Sequence, residues 1–179
     1  MESSSDELEY VKSRVGSYPN FPKQGILFWD IFSVLADPEA SKKLHGLLIR
    51  HVRAKTPGVQ AFVALESRGF LFGSVLALEF GVPFVPIRKK GKLPGAVYQE
   101  TYQLEYGTDI LEVQKDSITS GQKVVIVDDL IATGGTLEAG CRLVRRCGAT
   151  VEQCLVIMEL TALRGRAQVS ADVHSLIQY

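Results

Sequence analysis

A short polar segment in the last third of the chain carries residues suited to binding a phosphate group. Asp128 and Asp129 follow an apolar run, and Ala132-Thr133-Gly134-Gly135-Thr136 then leads into a helical pattern. Glycines let backbone N–H groups converge, threonine hydroxyls add donors, and a helix N-terminus contributes its positive end. The segment therefore predicts a cradle for a phosphate dianion. It is not a Walker A loop, because no Gly-Lys-Ser/Thr sequence follows.

The two adjacent carboxylates need a role of their own. Asp128 and Asp129 lie too close to the predicted cradle to bind the phosphate themselves. Carboxylate oxygens suit ribose hydroxyls or the coordination shell of a magnesium ion. The residues alone leave both roles open.

Two further polar turns also follow apolar runs. Glu66-Ser67-Arg68-Gly69 comes after the run at 61–65, and Arg88-Lys89-Lys90-Gly91-Lys92 comes after the run at 82–87. Ligands of parallel sheets bind beyond the carboxyl ends of the strands, so we expect these turns to share one crevice with the phosphate cradle. A basic run by itself is typical of a solvated loop, but beside a phosphate motif it favours a polyanion site.

The elements that must position these turns alternate along the chain. Continuously apolar strands separated by helices predict an α/β fold with a central, mainly parallel sheet flanked by helices. Predicted strands are 61–65, 82–87, 123–127, 151–158 and 173–177, and predicted helices begin near residues 38, 69 and 136.

Two segments depart from this alternation. Residues 18–30 contain prolines and a glycine that exclude a regular helix, yet they keep large apolar groups, so they lie over a core or line a pocket. Residues from about 90 to 106 contain Gly91, Pro94 and Gly95 and have no long apolar period. We expect a mobile flap there, with a short strand near Tyr102.

Composition excludes several classes of protein. The 179 residues fit a single domain, and Lys+Arg 20 against Asp+Glu 20 leaves no net field to hold nucleic acid or an anionic membrane. No apolar run approaches the roughly 20 residues that span a bilayer. Three cysteines without CxxC spacing support neither a disulfide framework nor a zinc site. We expect a soluble, reduced, cytoplasmic protein.

At the acid pair the sequence resembles the type I phosphoribosyltransferases, whose phosphoribosyl pyrophosphate (PRPP) motif is an apolar run, two acids and then T-G-G-T. Residues 124–136 match this motif throughout. The resemblance extends to the adenine-specific members of the family and covers nearly the whole chain, except for the N-terminal tail. The further matching blocks, in the family's order and spacing, are 20–22, 25–28, 67–73, 88–95 and 104–107.

The resemblance implies transfer of the phosphoribosyl group from PRPP to adenine, giving AMP and pyrophosphate in purine salvage. It implies that Ala132, Thr133, Gly134, Gly135 and Thr136 hold the 5′-phosphate, that Asp128 and Asp129 hold the ribose hydroxyls, and that Arg68, Arg88, Lys89 and Lys92 bind pyrophosphate. Magnesium would be held mainly by PRPP and water, with no direct protein ligand.

The resemblance also assigns the base site, the flap and the oligomer. Glu105 matches the acidic residue near the purine and would act as the acid–base catalyst, with Tyr106 as its aromatic neighbour on the flap. Adenine would stack on Phe28 and contact the main chain at Leu27 and Trp29, and Leu160 would close the other side of the base site. Residues 1–35 would form a tail, helix and hood over the base, and 36–179 the core with its flap. A homodimer is implied, in which Arg88 or Lys89 serves the partner's site.

Two residues depart from the family pattern. Trp29 stands where members commonly have arginine or another polar residue, which puts base affinity and hood packing in question. Glu66 replaces the usual aspartate and adds a methylene, so the turn at the pyrophosphate site, where a strained peptide is expected, could shift.

Two alternative functions stay open. A 6-oxopurine phosphoribosyltransferase would use hypoxanthine, guanine or xanthine, but Ala132 stands where the hypoxanthine–guanine enzymes carry an aspartate. A non-catalytic PRPP-binding regulator would keep the cradle without turnover. The chain has no room for a nucleic-acid-binding module, and its acid pair and Glu105 favour an active enzyme.

Overall fold

The computed structural model describes residues 3–104 and 107–179, except for the side chain of residue 104. By internal contacts the chain forms two compact units, Met1–Ala54 and Lys55–Tyr179. The functional division expected at residue 35 stays a prediction.

The N-terminal unit pairs helices with a two-stranded ribbon. Its first helix begins at a capping box, in which Ser3 and Asp6 each bond the other's backbone N–H. Within residues 18–30, where the sequence excluded a helix, the chain forms most of an antiparallel ribbon. The elements are α1 (Ser4–Arg14), β1 (Gly16–Pro19), β2 (Leu27–Asp30), α2 (Phe32–Leu35) and α3 (Pro38–Lys55), whose last residue falls in the second unit.

The second unit is built on a 7-stranded sheet in the order β5-β6-β4-β3-β7-β8-β9. In this order the five neighbouring strands β4, β3, β7, β8 and β9 are parallel to one another. The strand β6 runs antiparallel to both of its neighbours, β4 and β5. The predicted mainly parallel α/β sheet is confirmed. The strands are β3 (Ala61–Leu65), β4 (Phe84–Lys89), β5 (Val97–Leu104), β6 (Gly107–Gln114), β7 (Lys123–Ile131), β8 (Thr150–Glu159) and β9 (Val173–Gln178), and the helices are α4 (Gly69–Phe80) and α5 (Gly135–Arg146).

Small residues let both helices approach the central strand β3 closely. A Cβ at Gly73 of α4 would lie 2.7 Å from the Ala64 Cβ, and one at Gly140 of α5 would lie 3.2 Å from Leu65 Cδ2. Alternate residues of β3 therefore pack against opposite helices, and all five are buried. This double cover explains why β3 has no polar residue.

The register of the parallel strands sets the positions of the polar turns. Leu65 pairs with Ile87, and Ala64 pairs with Val127. The residues that follow, Glu66, Arg88 and Asp128, consequently lie at the same edge of the sheet. The crevice expected from the sequence is thus placed at the carboxyl ends of β3, β4 and β7.

The flap segment is more regular than the sequence predicted. Instead of one short strand near Tyr102, β5 and β6 have 8 residues each and pair along their whole length. The strand β6 was missed because five of its eight residues are polar or exposed, and its pairing with the end of β4 is not visible in local sequence.

Candidate active site

The carboxylate pair lies at the end of β7 and is held by a neighbouring turn. Asp129 is 4% exposed, and its backbone N–H donates to Asp128 Oδ1 over 2.8 Å. Arg68, in the turn after β3, places its Nε 2.7 Å from Asp129 Oδ2. The structure thus brings together two groups that the sequence assigned to different parts of the substrate.

The surroundings of the pair change its acidity. Burial raises the pKa of Asp128 well above its ordinary value, and the negative charge of Asp129 raises it further. Burial also raises the pKa of Asp129, although the positive charge of Arg68 opposes this. The raised pKa values mean that the two carboxyls resist being ionised at the same time. An ionised carboxyl accepts a hydrogen bond from a hydroxyl group, and a protonated one can donate to it.

The predicted phosphate cradle forms a tight loop at the start of α5. Gly134 has φ +86°, which a side chain would disfavour, and it caps the helix. The first backbone N–H groups of a helix have no partner inside the helix, so those from Gly135 onward are available to an anion. A cavity of about 100 Å³ lies here, and its lining residues are Asp128, Leu130, Ile131, Ala132, Thr133, Gly134, Thr136 and Leu137. That volume matches roughly three water-sized groups, about the size of a phosphate.

A segment that the sequence analysis did not single out supports this loop. A Cβ at Gly165 would lie 2.1 Å from the Ala132 carbonyl oxygen, and one at Gly134 would lie 2.2 Å from the Gly165 carbonyl oxygen. Gly165 begins a 3-10 turn, Gly165–Gln168, that is tied to β8 by the ion pair of Arg166 and Glu159. A single glycine or arginine in the sequence does not predict such a contact, because the two segments meet only in the folded chain.

Glu66 joins the turn after β3 to the end of β4. Its carboxylate accepts from Arg88 Nη2 at 2.9 Å and Nε at 3.2 Å, and from the Lys89 backbone N–H at 3.0 Å. The hydrogen bonds from Arg88 lower the pKa of Glu66, despite its partial burial. The peptide between Glu66 and Ser67 is cis. The Glu66 side chain, one methylene longer than aspartate, contacts two residues of the basic turn, Arg88 and Lys89.

The remaining predicted cations are more exposed. Arg88 and Lys89 are successive residues of β4, so their side chains point to opposite faces of the sheet. The Lys89 ammonium lies 3.1 Å from Asp109 of β6, with 58% of its side chain exposed. Lys92 is exposed, and its carbonyl oxygen accepts from Arg88 Nη1 at 3.1 Å.

The predicted base residues are distributed over both units. In the N-terminal unit, Phe28 packs edge-on against Phe21, with ring centroids 5.1 Å apart. They line a largely aromatic cavity of about 600 Å³. Leu27 and Trp29 flank Phe28 in β2 and therefore project from its opposite face.

The other two predicted elements of the base site have different outcomes. Leu160 follows β8, and its N–H donates to the Ile131 carbonyl oxygen at 3.0 Å, so Leu160 lies beside the end of β7. Glu105 and Tyr106 lie outside the described residues.

Comparison with known proteins decides the family. The model of the phosphoribosyl transferase domain matches residues 33–177. An adenine phosphoribosyltransferase of Drosophila pseudoobscura pseudoobscura is 56% identical over 177 residues, covering 99% of this chain and 98% of that protein. The chain belongs to the adenine phosphoribosyltransferase family.

Solved structures of adenine phosphoribosyltransferases share the fold. The enzyme of Saccharomyces cerevisiae, solved with an imino-altritol bisphosphate and adenine, has a TM-score of 0.93 at 43% identity, over 96% of this chain and 99% of that one. The Trypanosoma brucei enzyme, in complex with AMP, pyrophosphate and ribose-5-phosphate, has a TM-score of 0.88 at 27% identity, over 96% and 79%. The resemblance inferred from the sequence motifs is confirmed.

Within residues 3–104 and 107–179, no group of three or more His, Cys, Asp or Glu side chains is arranged to hold a metal ion. Over the same residues, no helix is both long and apolar enough to cross a membrane.

Proposed function

We propose that this chain transfers the phosphoribosyl group of PRPP to adenine, releasing pyrophosphate and forming AMP. The observation that carries the proposal is the Asp128–Asp129 pair beside the glycine-rich loop at the start of α5, with Arg68 bound to Asp129. Groups suited to hydroxyls, to phosphate and to pyrophosphate thus lie at one edge of the sheet, which supports the proposal. The ligands of the yeast and trypanosome relatives support the same substrates.

The acid pair serves the ribose. Cleavage of the bond between C1′ and pyrophosphate passes through a sugar cation of oxocarbenium character, as in glycoside chemistry. Asp128 and Asp129 bind the 2′ and 3′ hydroxyls and place negative charge near that developing cation. The raised pKa of Asp128 fits a carboxyl that is completed by a hydroxyl partner.

The loop from Ala132 to Thr136 anchors the 5′-phosphate. Backbone N–H groups at the start of α5 and the hydroxyls of Thr133 and Thr136 supply its donors. Gly165 packs against Ala132 and Gly134 and so supports the loop from one side. This supports anchoring of the sugar while C1′ moves between leaving group and base.

Cationic side chains hold the leaving pyrophosphate. Arg68, together with Arg88 and Lys89 at the end of β4 and Lys92 just after it, offsets its charge. Magnesium suits phosphate oxygens with water and one or two carboxylates, and the acid pair supplies oxygen donors of that chemistry nearby. When bound with PRPP, the ion neutralises charge on the pyrophosphate group.

The base is held by Leu27, Phe28, Trp29 and Leu160, and Glu105 manages the purine proton. Adenine stacking on Phe28 is supported by the aromatic cavity that this ring lines. A homodimer in which Arg88 or Lys89 reaches the partner's site is part of the proposal. Analytical ultracentrifugation tests it, and a monomeric mass at full specific activity would contradict it. The expected cytoplasmic location stays a prediction.

A reconstitution experiment tests the proposed reaction. The purified chain is incubated with PRPP, adenine and Mg²⁺, and AMP and pyrophosphate are quantified separately. We expect equal amounts of both products and loss of turnover after removal of divalent metal by a chelator. Pyrophosphate release without AMP, or undiminished turnover after chelation, would contradict the proposal.

A further inference from the structure

Two residues near the closed end of the β5–β6 hairpin link the phosphate loop to the basic turn. Tyr102 of β5 and Asp109 of β6 are direct cross-strand partners. The Tyr102 hydroxyl donates to Asp109 Oδ2 over 3.3 Å. The pair therefore forms a single unit across the hairpin.

The first contact of this pair is with the phosphate loop. Tyr102 is buried, and a Cβ at Gly135 would lie 3.8 Å from the Tyr102 ring and 3.1 Å from the Gln103 carbonyl oxygen. Burial raises the pKa of Tyr102. The phenol thus stays protonated at neutral pH and can donate to Asp109.

The second contact is with the basic turn. Asp109 Oδ2 lies 3.1 Å from Lys89 Nζ. The carboxylate is itself fixed, because Asp109 Oδ1 accepts the Ile110 backbone N–H over 2.8 Å and Oδ2 accepts from Tyr102. An ammonium has three donors, so Lys89 keeps two for an anion while the other is engaged.

We propose that Asp109 and Tyr102 are positioning residues: Asp109 holds the Lys89 ammonium for pyrophosphate, and Tyr102 fixes the Asp109 carboxylate. The inference rests on the proposed function, since it takes the pyrophosphate site as given. A lysine side chain loses rotamer entropy when it is immobilised. Asp109 restricts the rotamers of the Lys89 side chain before the anion binds. Less rotamer entropy is therefore lost when pyrophosphate binds.

The hairpin offers a matched control. Glu100, also on β5, pairs with Arg142 of α5 at 3.0 Å and with Arg146 at 3.6 Å. Glu100→Gln therefore weakens the attachment of the flap to α5 without touching either anion site. Asp109→Asn and Tyr102→Phe are equally conservative, and melting temperatures verify that all three variants are folded.

The test separates the two sites by using one probe for each. Titration calorimetry measures binding of ribose 5-phosphate and of pyrophosphate with Mg²⁺ to the full-length chain. We expect Asp109→Asn to weaken pyrophosphate binding by about 3- to 5-fold, the upper range for an exposed ion pair. Tyr102→Phe removes the hydrogen bond to Asp109 and is expected to weaken pyrophosphate binding by about 2-fold, the lower range for one hydrogen bond. Both variants should change ribose 5-phosphate binding less than pyrophosphate binding.

Several results would overturn the proposal. Asp109→Asn matching Glu100→Gln, or binding pyrophosphate more tightly than the unaltered chain, would mean that Asp109 does not prepare Lys89. Equal losses for both probes in Tyr102→Phe, or no binding of either probe by the unaltered chain, would also overturn it. AMP formation by the unaltered chain is measured in parallel, and its absence would refute the proposed function itself.

Discussion

Arg68 Nε lies 2.7 Å from Asp129 Oδ2, which joins the turn after β3 to the end of β7. The sequence assigns the guanidinium to pyrophosphate and the carboxylate to ribose. Their contact joins the two predicted subsites through one ion pair. Since Asp129 is 4% exposed, this pair is screened little by solvent. Substitution on one side is therefore expected to affect the other.

Asp128 is expected to make the unliganded protein less stable at neutral pH. Its pKa is raised in the folded state, so stability falls as pH rises from the unfolded value of about 3.9 towards the folded value. Asp128→Asn keeps an oxygen to accept the Asp129 N–H and carries no charge. We expect a melting temperature a few degrees higher at pH 7, at about 2–4 °C per kcal/mol for a chain of this length.

Thermal melts of the two proteins at several pH values check this expectation. The difference between them should shrink below about pH 3.9, where the unfolded aspartate is also protonated. A variant that is less stable than the unaltered chain at pH 7 would show that Asp128 stabilises the fold.

Glu66 is expected to stabilise the fold and to support PRPP binding. Its pKa is lowered in the folded state, so its contribution is present above the unfolded value of about 4.3 and is lost as pH falls through the folded value. Glu66→Gln should cost about 1 kcal/mol at pH 7, because the contact to Arg88 is charge-assisted and two-pronged. It should also raise the KM for PRPP more than that for adenine.

The matched variant Glu66→Asp tests the length of this side chain. Aspartate keeps the charge but is one methylene shorter, so we expect an intermediate loss in both measurements. Steady-state kinetics and denaturant unfolding give the two readouts. Equal KM changes for both substrates would show that Glu66 acts on the fold alone.

How far the sequence predicted this molecule differs between its parts. The strands β3 and β7 and the phosphate loop were predicted because their signals are local: apolar runs, glycines and threonines at fixed spacing. The strand β6 and the Gly165 turn were not predicted, because each acts through a partner distant in sequence. The contacts of Arg68 with Asp129 and of Glu66 with Arg88 depend on the register of parallel strands, which no local pattern gives.

Trp29 projects from the face of β2 opposite to Phe28, so its effect on the base is expected to come through the backbone. Trp29→Arg should change the KM for adenine by about 2- to 10-fold, the range for perturbing one hydrogen bond, and the KM for PRPP less. Trp29→Phe is the control that keeps an aromatic ring. Equal effects on both substrates in Trp29→Arg would assign Trp29 a general structural role.

Glu105 is predicted from the sequence to manage the purine proton. Glu105→Gln removes the titrating group at nearly constant size, so we expect kcat to fall by about 10²–10⁴-fold, the usual range for one acid–base group. PRPP binding should change little. Single-turnover kinetics measure the chemical step directly, and an unchanged rate would remove Glu105 from the mechanism.

Competition among purines tests the central claim most directly. The chain receives PRPP and Mg²⁺ with adenine, hypoxanthine and guanine together at equal concentrations, and mass spectrometry identifies the nucleotides formed. Ala132 cannot accept or donate the proton of a 6-oxopurine, so we expect AMP to be almost the only nucleotide formed. The acid pair is expected to be needed for transfer to any purine. The double variant Asp128→Asn with Asp129→Asn should be folded and form almost none. Comparable IMP or GMP, or full AMP formation by the double variant, would contradict the account.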